Sequence, residues 1–158
     1  DIFDQHADLR GKYEAVFLMD VIEHIEHETL FLNACRYHTK SNGILVLNVP
    51  ALNSLYSKYD AAAGHVRRYN KKMISTLFIE AGIEPVAVSY WGFPMLPLLF
   101  LRKYYLKFVS DENIIESGFA PPTRFAHYIL QTCRIAETIS PISPLLGTSL
   151  MAVGRFKT

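Results

Sequence analysis

Residues 13–27 have the sequence YEAVFLMDVIEHIEH, and this stretch decides the fold class. Its first half, Tyr13 to Met19, is a short apolar run that ends at Asp20. Continuous apolar runs of this length are typical of strands buried on both faces of a parallel sheet. Ligands of such sheets bind outside the carboxyl ends of the strands, so the polar residues from Asp20 onward are the first candidates for a site.

A helix pattern follows this strand. Residues 28–38 have an apolar stripe at helical spacing, and Asn42-Gly43 is a turn or helix-stop signal. We expect the stripe to consist of Leu30, Phe31, Ala34 and Cys35. A second buried strand is predicted at 44–49, where Pro50 ends it.

The rest of the chain continues the alternation. Asn70 is placed to cap a helix over 71–81, with Gly82 as its stop signal. The inward residues of that helix are predicted to be Met73, Ile74, Leu77 and Phe78. Further elements are predicted as strands at 84–90 and 149–157, a helix at 123–138, and a proline-interrupted apolar helix or pair of turns at 93–108. This order favours one α/β domain with a doubly wound sheet, in which the last strand inserts antiparallel.

Composition limits the function classes. The 158 residues are 50% hydrophobic and carry a formal net charge of +1, which predicts a packed core and gives no broad basic surface for nucleic acid. Cys35 and Cys133 are not in a CxxC pair, so we expect reduced, buried thiols in a cytoplasmic protein. The longest apolar run, 91–101, is too short to span a bilayer.

Three segments carry a resemblance to a known family. Residues 13–27 resemble the fourth strand and following turn of class I S-adenosylmethionine (SAM) dependent methyltransferases. SNGILVLNVP at 41–50 resembles their fifth strand, and AAAGHVRRYNKKMISTLFIEAGIEPV at 61–86 resembles a segment of members that modify small molecules and lipid or sugar conjugates. The resemblance implies a Rossmann-like methyltransferase sheet, of which residues 1–158 contain strands four to seven, with a lid-like helical insertion at 92–145.

The resemblance also has a gap. The glycine-rich loop that holds SAM in the family, and the acidic residue that binds its ribose, have no counterpart in these residues. In the family, the strand that ends here at Met19 pairs with the first strand, and without that neighbour it would leave an unpaired apolar edge. We therefore expect the native polypeptide to have residues upstream of Asp1.

Cofactor contacts follow from the resemblance. It implies that Met19, Asp20 and Val21 line the methionine arm of SAM, and that Asp1 and Ile2 contact the adenine. The alternative for the acidic residues is that Asp20 and Glu23 cap the following helix, whose amino end favours negative charge.

His24 is the candidate catalytic residue. A histidine at this position can accept a proton from a nucleophilic hydroxyl. The alternative is that it only orients the loop, since alignment alone can supply much of the rate of methyl transfer. His24 and His27 do not form a recognised metal pattern, and no metal is predicted from them.

A second cluster is predicted to bind the acceptor. Its loop follows the second predicted strand and can close over the crevice, where arginines suit anionic groups and tyrosines flank rings. The predicted acceptor-binding residues are Glu23, Tyr56, Tyr59, His65, Arg67 and Arg68. The alternative is that the two arginines pair with acidic groups and the tyrosines pack in the core.

The apolar segment 93–108 ends in RKYYLKF, a basic and aromatic pattern. We favour a lid or core role, and the alternative is shallow membrane contact. The predicted function is methyl transfer from SAM to a small hydrophobic or lipid- or sugar-conjugate acceptor, in the cytoplasm or at a membrane surface. Two rivals are a catalytically inactive methyltransferase-like binding module and a peripheral membrane protein.

Overall fold

The predicted alternation of strands and helices is present in the computed structural model, which describes residues 1–110, 114–115, 123–139 and 144–157. The elements used below are β1 (Tyr13–Met19), α1 (Glu28–His38), β2 (Thr39–Pro50), α2 (Lys58–Ala62), α3 (Lys71–Glu80), β3 (Ile83–Trp91), α4 (Leu96–Leu106), α5 (Arg124–Ile139) and β4 (Ser149–Phe156). Short 3-10 turns occur at Ala7–Leu9, Ile22–His24, Asn53–Leu55 and Phe93–Met95.

The four strands form one sheet in the order β1-β2-β4-β3. β1 is parallel to β2, and β4 is antiparallel to both of its neighbours. The prediction of an antiparallel last strand in an α/β fold is therefore confirmed. Because β1, β2 and β3 run in the same direction, their carboxyl ends meet at one edge of the sheet.

The core lies around the two central strands. Leu45 and Leu47 of β2 and Leu150 of β4 are fully buried. β1 lies at the edge of the sheet with Phe17 64% exposed, so the expectation that it is buried on both faces is wrong. Phe78 of α3 packs close to the sheet at Gly154, where a β-carbon would approach its ring to 2.7 Å. The absence of a side chain at Gly154 allows this close helix–sheet contact.

Two predicted core positions are wrong. Leu30 is 60% exposed, whereas Leu32 is fully buried. These residues are two positions apart, which places them on nearly opposite sides of α1, at about 100° per residue. Leu32 and Cys35, three apart, form the inward face. Met73 is also exposed, because it lies beside the buried Ile74 at the margin of the apolar face of α3.

The Asn42-Gly43 signal does not separate a helix from a strand. β2 begins directly after α1, at Thr39, which is five residues earlier than predicted. Its pairing with β1 jumps from Tyr13–Thr39 to Ala15–Ile44, which is a bulge. Asn42 has a left-handed backbone with φ of 61°, a conformation that asparagine tolerates. The turn signal therefore marks a bulge within β2.

Asn70 caps α3 as predicted, because its side-chain oxygen accepts a hydrogen bond from the Met73 amide at 2.9 Å. We expect Asn70→Ala to lower the free energy of unfolding by about 1 kcal/mol, since the amide loses its partner. Asn70→Asp keeps an acceptor and should stay within a few tenths of that of the wild type. Urea unfolding of the three proteins checks this, and equal losses in both variants would contradict it.

The 92–145 segment begins with Phe93–Met95 and α4, and α5 packs back against its start. The Cys133 thiol lies 3.5 Å from the Pro94 carbonyl, and Glu137 accepts a hydrogen bond from the Gly92 amide at 2.8 Å. Cys133 is half-buried, rather than buried as predicted.

Most of the polar segment 110–122 and of the two Ser-Pro pairs at 140–141 and 143–144 lies outside the described residues. Among the residues that are described, no helix is both long and apolar enough to cross a bilayer.

Candidate functional site

A chain of hydrogen bonds crosses the carboxyl edge of the sheet. Asp20 follows β1 with a left-handed backbone, φ of 53°, and both its carboxylate oxygens accept from the Asn48 amide nitrogen, at 3.1 and 3.2 Å. The Asn48 oxygen accepts in turn from Trp91 Nε1 at 2.9 Å. Side chains from β2 and β3 thus fix the Asp20 carboxylate at the place where this fold class binds ligands.

The other residues predicted to bind the cofactor lie in two separate parts of the structure. Met19 is partly exposed beside Asp20, and Val21 packs against the core. The backbone carbonyl of Ile2 bonds to His38 Nε2 at 3.0 Å. His38 immediately precedes β2, so this contact connects Ile2 to the amino ends of the strands. Asp1 is exposed.

Glu23 lies in the turn Ile22–His24 and is fully buried. Neither of its carboxylate oxygens has a hydrogen-bond partner among the described residues. Burial, with a smaller contribution from the Asp20 charge, raises the pKa of Glu23 to about 6, although its own backbone amide and the charges of His24 and Arg68 oppose the shift. A buried acid without a partner is unusual in structures and is typical of functional sites.

Helix capping does not explain these acids. His27 occupies the cap position of α1, and its side chain makes no capping hydrogen bond. The Asp20 carboxylate bonds to Asn48, and the Glu23 carboxylate oxygens have no partner among the described residues. Neither acid therefore caps α1 through a hydrogen bond.

The loop from 51 to 70 folds against the Ile22–His24 turn. The Val66 amide donates to the Glu23 carbonyl at 2.7 Å, and His24 Nδ1 lies 3.1 Å from the Gly64 carbonyl. The rings of His24 and His65 meet edge to face, with centroids 4.7 Å apart. Sequence-distant residues thus form one cluster, in which Glu23, His24 and His65 each offer a ligand atom within 4.8 Å of the others.

Hydrogen-bond partners define which nitrogen of each imidazole is free. His24 Nδ1 faces a backbone carbonyl, and His65 Nδ1 faces a carboxylate oxygen of Asp60 at 3.1 Å. Both partners are acceptors only, so each Nδ1 must carry the proton. In the neutral rings, Nε2 of both histidines therefore keeps its lone pair for a proton or a metal ion.

Asp60 organises the loop from within. It is fully buried and accepts from Arg68 Nε at 2.8 Å and from the Ser57 amide at 2.8 Å. Burial alone would raise the pKa of Asp60, but the charge of Arg68 and hydrogen bonds from Arg68 and Ser57 lower it below its usual range. Arg68 also donates to the Ala51 carbonyl at 3.1 Å. Arg68 is thus committed to the loop interior.

Arg67 and Tyr69 are held by Glu28, at the start of α1. Arg67 forms an ion pair with one Glu28 oxygen, and the Tyr69 hydroxyl donates to the other at 2.5 Å. Tyr69 also lies 3.1 Å from the Ile22 carbonyl, and its pKa is raised by burial and by the Glu28 hydrogen bond. Both arginines therefore pair with acidic groups, as the alternative interpretation stated.

The two tyrosines also have protein contacts. The Tyr56 hydroxyl donates to the His65 carbonyl at 2.7 Å, and the Arg102 guanidinium of α4 lies 3.9 Å from the centre of the Tyr59 ring. Tyr56 supports His65, and Tyr59 joins the loop to the 92–145 segment. Both side chains are half-buried.

Three residues of the site were not singled out from sequence: Asn48, Asp60 and Glu28. A polar Asn48 inside an apolar strand, near its carboxyl end, was a usable signal. Ser57-x-x-Asp60 has the spacing of a capping box, and the structure shows both of its hydrogen bonds. Glu28 carries no local signal, because its partners are about 40 residues away.

An apolar pocket of about 270 Å³ opens between the end of β3 and α5. Its lining is largely apolar, with a polar margin, and consists of Trp91, Gly92, Met95, Leu130, Cys133, Arg134, Glu137 and Thr138. Trp91 bonds through Asn48 to Asp20. The pocket is therefore coupled to the carboxyl edge of the sheet through one side chain.

No protein-family model matches the sequence, and no curated protein matches it. Solved structures do match. A SAM-dependent methyltransferase from Archaeoglobus fulgidus has a TM-score of 0.53 at 15% identity, over 98% of this chain and 65% of that one. Phosphoethanolamine N-methyltransferase 2 of Haemonchus contortus, in complex with SAM, gives 0.52 at 14% identity, over 94% and 34%.

A third match, the cyclase SpnF, has a TM-score of 0.52 at 11% identity, over 94% of this chain and 52% of that one. The chain thus spans from about a third to just under two thirds of the length of these structures. SpnF illustrates that this fold can carry another reaction. At such identities the likeness establishes architecture alone: the chain has the fold of SAM-dependent methyltransferases.

Proposed function

We propose that this protein transfers the methyl group of SAM to a small, hydrophobic or lipid- or sugar-conjugate acceptor. The observation that carries the proposal is the fixed Asp20 carboxylate beside the Glu23–His24–His65 cluster, at the carboxyl edge of a methyltransferase-type sheet. Sheets of this kind bind their ligands at that edge.

The cofactor is proposed to lie across Met19, Asp20 and Val21. SAM would supply a methyl group already activated on a positively charged sulfur. Asn48 holds the Asp20 carboxylate in one orientation, which suits a charge-assisted hydrogen bond to an ammonium group. Asp1 and Ile2 are left out of this proposal, because Ile2 contacts His38 at the opposite, amino edge of the sheet.

His24 is proposed as the base. Its Nε2 lone pair can accept the proton of an acceptor hydroxyl or amine as the nucleophile attacks the methyl carbon. In this step the new bond forms to the methyl group, and the electrons of the broken C–S bond stay on sulfur. The ring is oriented by Gly64 and by contact with His65, which keeps Nε2 in one position.

The acceptor is proposed to place its apolar part in the pocket next to Trp91. Glu23 and His65 face its reactive end, while Tyr56, Tyr59, Arg67 and Arg68 act by holding the 51–70 loop in shape. The pocket suits a hydrophobic group better than a highly charged one, because its walls are mainly apolar. A nucleic-acid acceptor is not proposed, since the chain has a net charge of only +1.

Calorimetric titration of SAM into the protein tests the cofactor. We expect binding in the wild type and an affinity roughly 10- to 100-fold weaker in Asp20→Ala, the usual effect of losing a charged hydrogen bond of about 1.5–3 kcal/mol. Asp8→Asn removes an exposed acid elsewhere and should bind like the wild type. Absence of binding at millimolar SAM would exclude the proposal.

His24→Asn is expected to lower kcat at least about 100-fold for an acceptor that must lose a proton, with SAM affinity unchanged. The readout is S-adenosylhomocysteine formation in the presence of EDTA, with a panel of hydrophobic alcohols, phenols and amines. His27→Asn is the matched control, because His27 is exposed nearby and outside the cluster. If both variants retain full kcat, His24 is not the base.

A membrane-surface location is the second candidate, and the exposed side of α4 favours it. Leu101 is 68% exposed and Phe108, just beyond the helix, is 87% exposed, next to Lys103 and Lys107. Apolar and basic residues together are typical of interfacial segments. We expect flotation with anionic vesicles that Leu101→Ser/Phe108→Ser abolishes and that Ile79→Ser, an exposed control on α3, leaves intact. Flotation unaffected by the double change would exclude this surface.

A further inference from the structure

We propose that Glu23, His24 and His65 form a binding site for a first-row divalent metal ion, with Zn²⁺ as the best-suited ion. The first reason is the state of Glu23. Its carboxylate is fully buried, and neither oxygen has a protein partner among the described residues. A buried carboxylate needs a compensating charge or hydrogen bonds, and a cation between Glu23 and the two imidazoles would supply it.

The second reason is the orientation of the histidines. His24 Nδ1 is held by the Gly64 carbonyl, and His65 Nδ1 by the Asp60 carboxylate. Metal-binding histidines commonly donate their second nitrogen in this way, to a carbonyl or a carboxylate, which fixes the ring and leaves the other nitrogen free for the ion. Asp60 is itself fixed by Arg68 and Ser57, so the support extends to a second layer.

The third reason is distance. One ligand atom from each of the three side chains lies within 4.8 Å of the others. Zinc–nitrogen and zinc–oxygen bonds of about 2.0–2.2 Å place tetrahedral ligands about 3.4 Å apart. The separations therefore exceed those of a closed tetrahedral site by at most about 1.4 Å.

The ligand set indicates the kind of ion. Two imidazoles and one carboxylate form a set that catalytic zinc sites use, with a fourth position open to water or substrate. Imidazole nitrogens disfavour Mg²⁺ and Ca²⁺, which prefer oxygen ligands throughout. In the loaded protein the ion would occupy the His24 lone pair, and it would acidify a bound hydroxyl in place of the histidine base. The site itself does not depend on the proposed methyl transfer.

The test uses metal-stripped protein without SAM. Titration with Co²⁺, followed by its visible absorption, and then with Zn²⁺ by calorimetry should show one ion per chain. We expect Glu23→Gln and His65→Asn each to weaken binding at least about 10-fold, the lower range seen when groups around a metal are removed. His27→Asn and His6→Asn control for exposed histidines outside the cluster and should bind like the wild type.

Two results would overturn the site: no binding at millimolar Co²⁺ or Zn²⁺, or binding that the Glu23 and His65 variants leave unchanged. Thermal unfolding of each variant in EDTA shows whether weaker binding reflects a lost ligand or a lost fold. SAM titration in EDTA is a separate measurement. Failure of the metal site and failure of the proposed methyl transfer are therefore distinguishable.

Discussion

Asp60→Asn should lower the free energy of unfolding by about 3–5 kcal/mol, because it leaves the Arg68 guanidinium buried without a counter-charge. Asp60 is fully buried, and Arg68 is nearly as buried. The same carboxylate also accepts from Ser57 and holds His65. The asparagine amide has one acceptor oxygen where the carboxylate has two, so a donor of Ser57, Arg68 or His65 is left without a partner. Urea unfolding at pH 7 measures the loss.

Matched variants separate the charge effect from general disturbance. Arg68→Met alone should destabilise by a similar amount, and the double variant Asp60→Asn/Arg68→Met should lose less than the sum of the two. Glu14→Gln breaks the exposed pair with Lys40 and should change stability by less than about 1 kcal/mol. An Asp60→Asn protein within 1 kcal/mol of wild type would contradict the role of this pair.

The pH dependence of wild-type stability tests the Asp60–Arg68 pair independently. Its native environment lowers the pKa of Asp60, so its stabilisation is present above the pKa of the unfolded chain, about 4. That stabilisation is lost as the pH falls through the lower, folded value. The Asp60→Asn variant should lack this acid-side loss of stability.

Periodicity predicted the elements of the fold well, because burial of a strand or helix leaves a local pattern. β1 has the predicted bounds 13–19, and α1 has the predicted bounds 28–38. The misplacement of Leu30 shows the limit of the method. Several adjacent apolar residues allow more than one stripe, and only contact with the sheet selects Leu32 and Cys35.

The sequence indicated a candidate site at the end of β1 but could not identify the contacts between its residues. His24 and His65 are 41 positions apart, and they meet only because the 51–70 loop folds back along the Ile22–His24 turn. The pairs Arg68–Asp60 and Arg67–Glu28 likewise depend on that return. Residue type identifies the charged and polar groups that need a partner, but the tertiary structure determines which partner each one finds.

The buried Glu23 carboxyl group should make the stability of the wild type fall as the pH rises. Burial raises the pKa of Glu23 from its ordinary range near 4.5 to about 6, against the opposing charges of His24 and Arg68 and with the repulsion of Asp20. A carboxyl group whose pKa is higher in the folded state contributes its full stability below the pKa of the unfolded chain. That contribution is lost as the pH rises through the folded value of about 6. In EDTA, the wild type should therefore lose about 2 kcal/mol of stability from this group between pH 4 and pH 8.

Glu23→Gln removes the ionisation but keeps the shape, so its stability should lack that decline. The difference between variant and wild type should grow in favour of the variant by about 2 kcal/mol from pH 4 to pH 8, measured by urea unfolding at each pH. Glu26→Gln, an exposed neighbour, should follow the wild type at every pH. Parallel curves for Glu23→Gln and wild type would mean that the carboxyl group is solvated, and the unpartnered acid would then no longer support a ligand site at this turn. The opposite result is that the stability curves of Glu23→Gln and the wild type diverge in EDTA and converge when Zn²⁺ is added. That result would show that the Glu23 carboxylate destabilises the fold when it is unpaired and that it binds the ion.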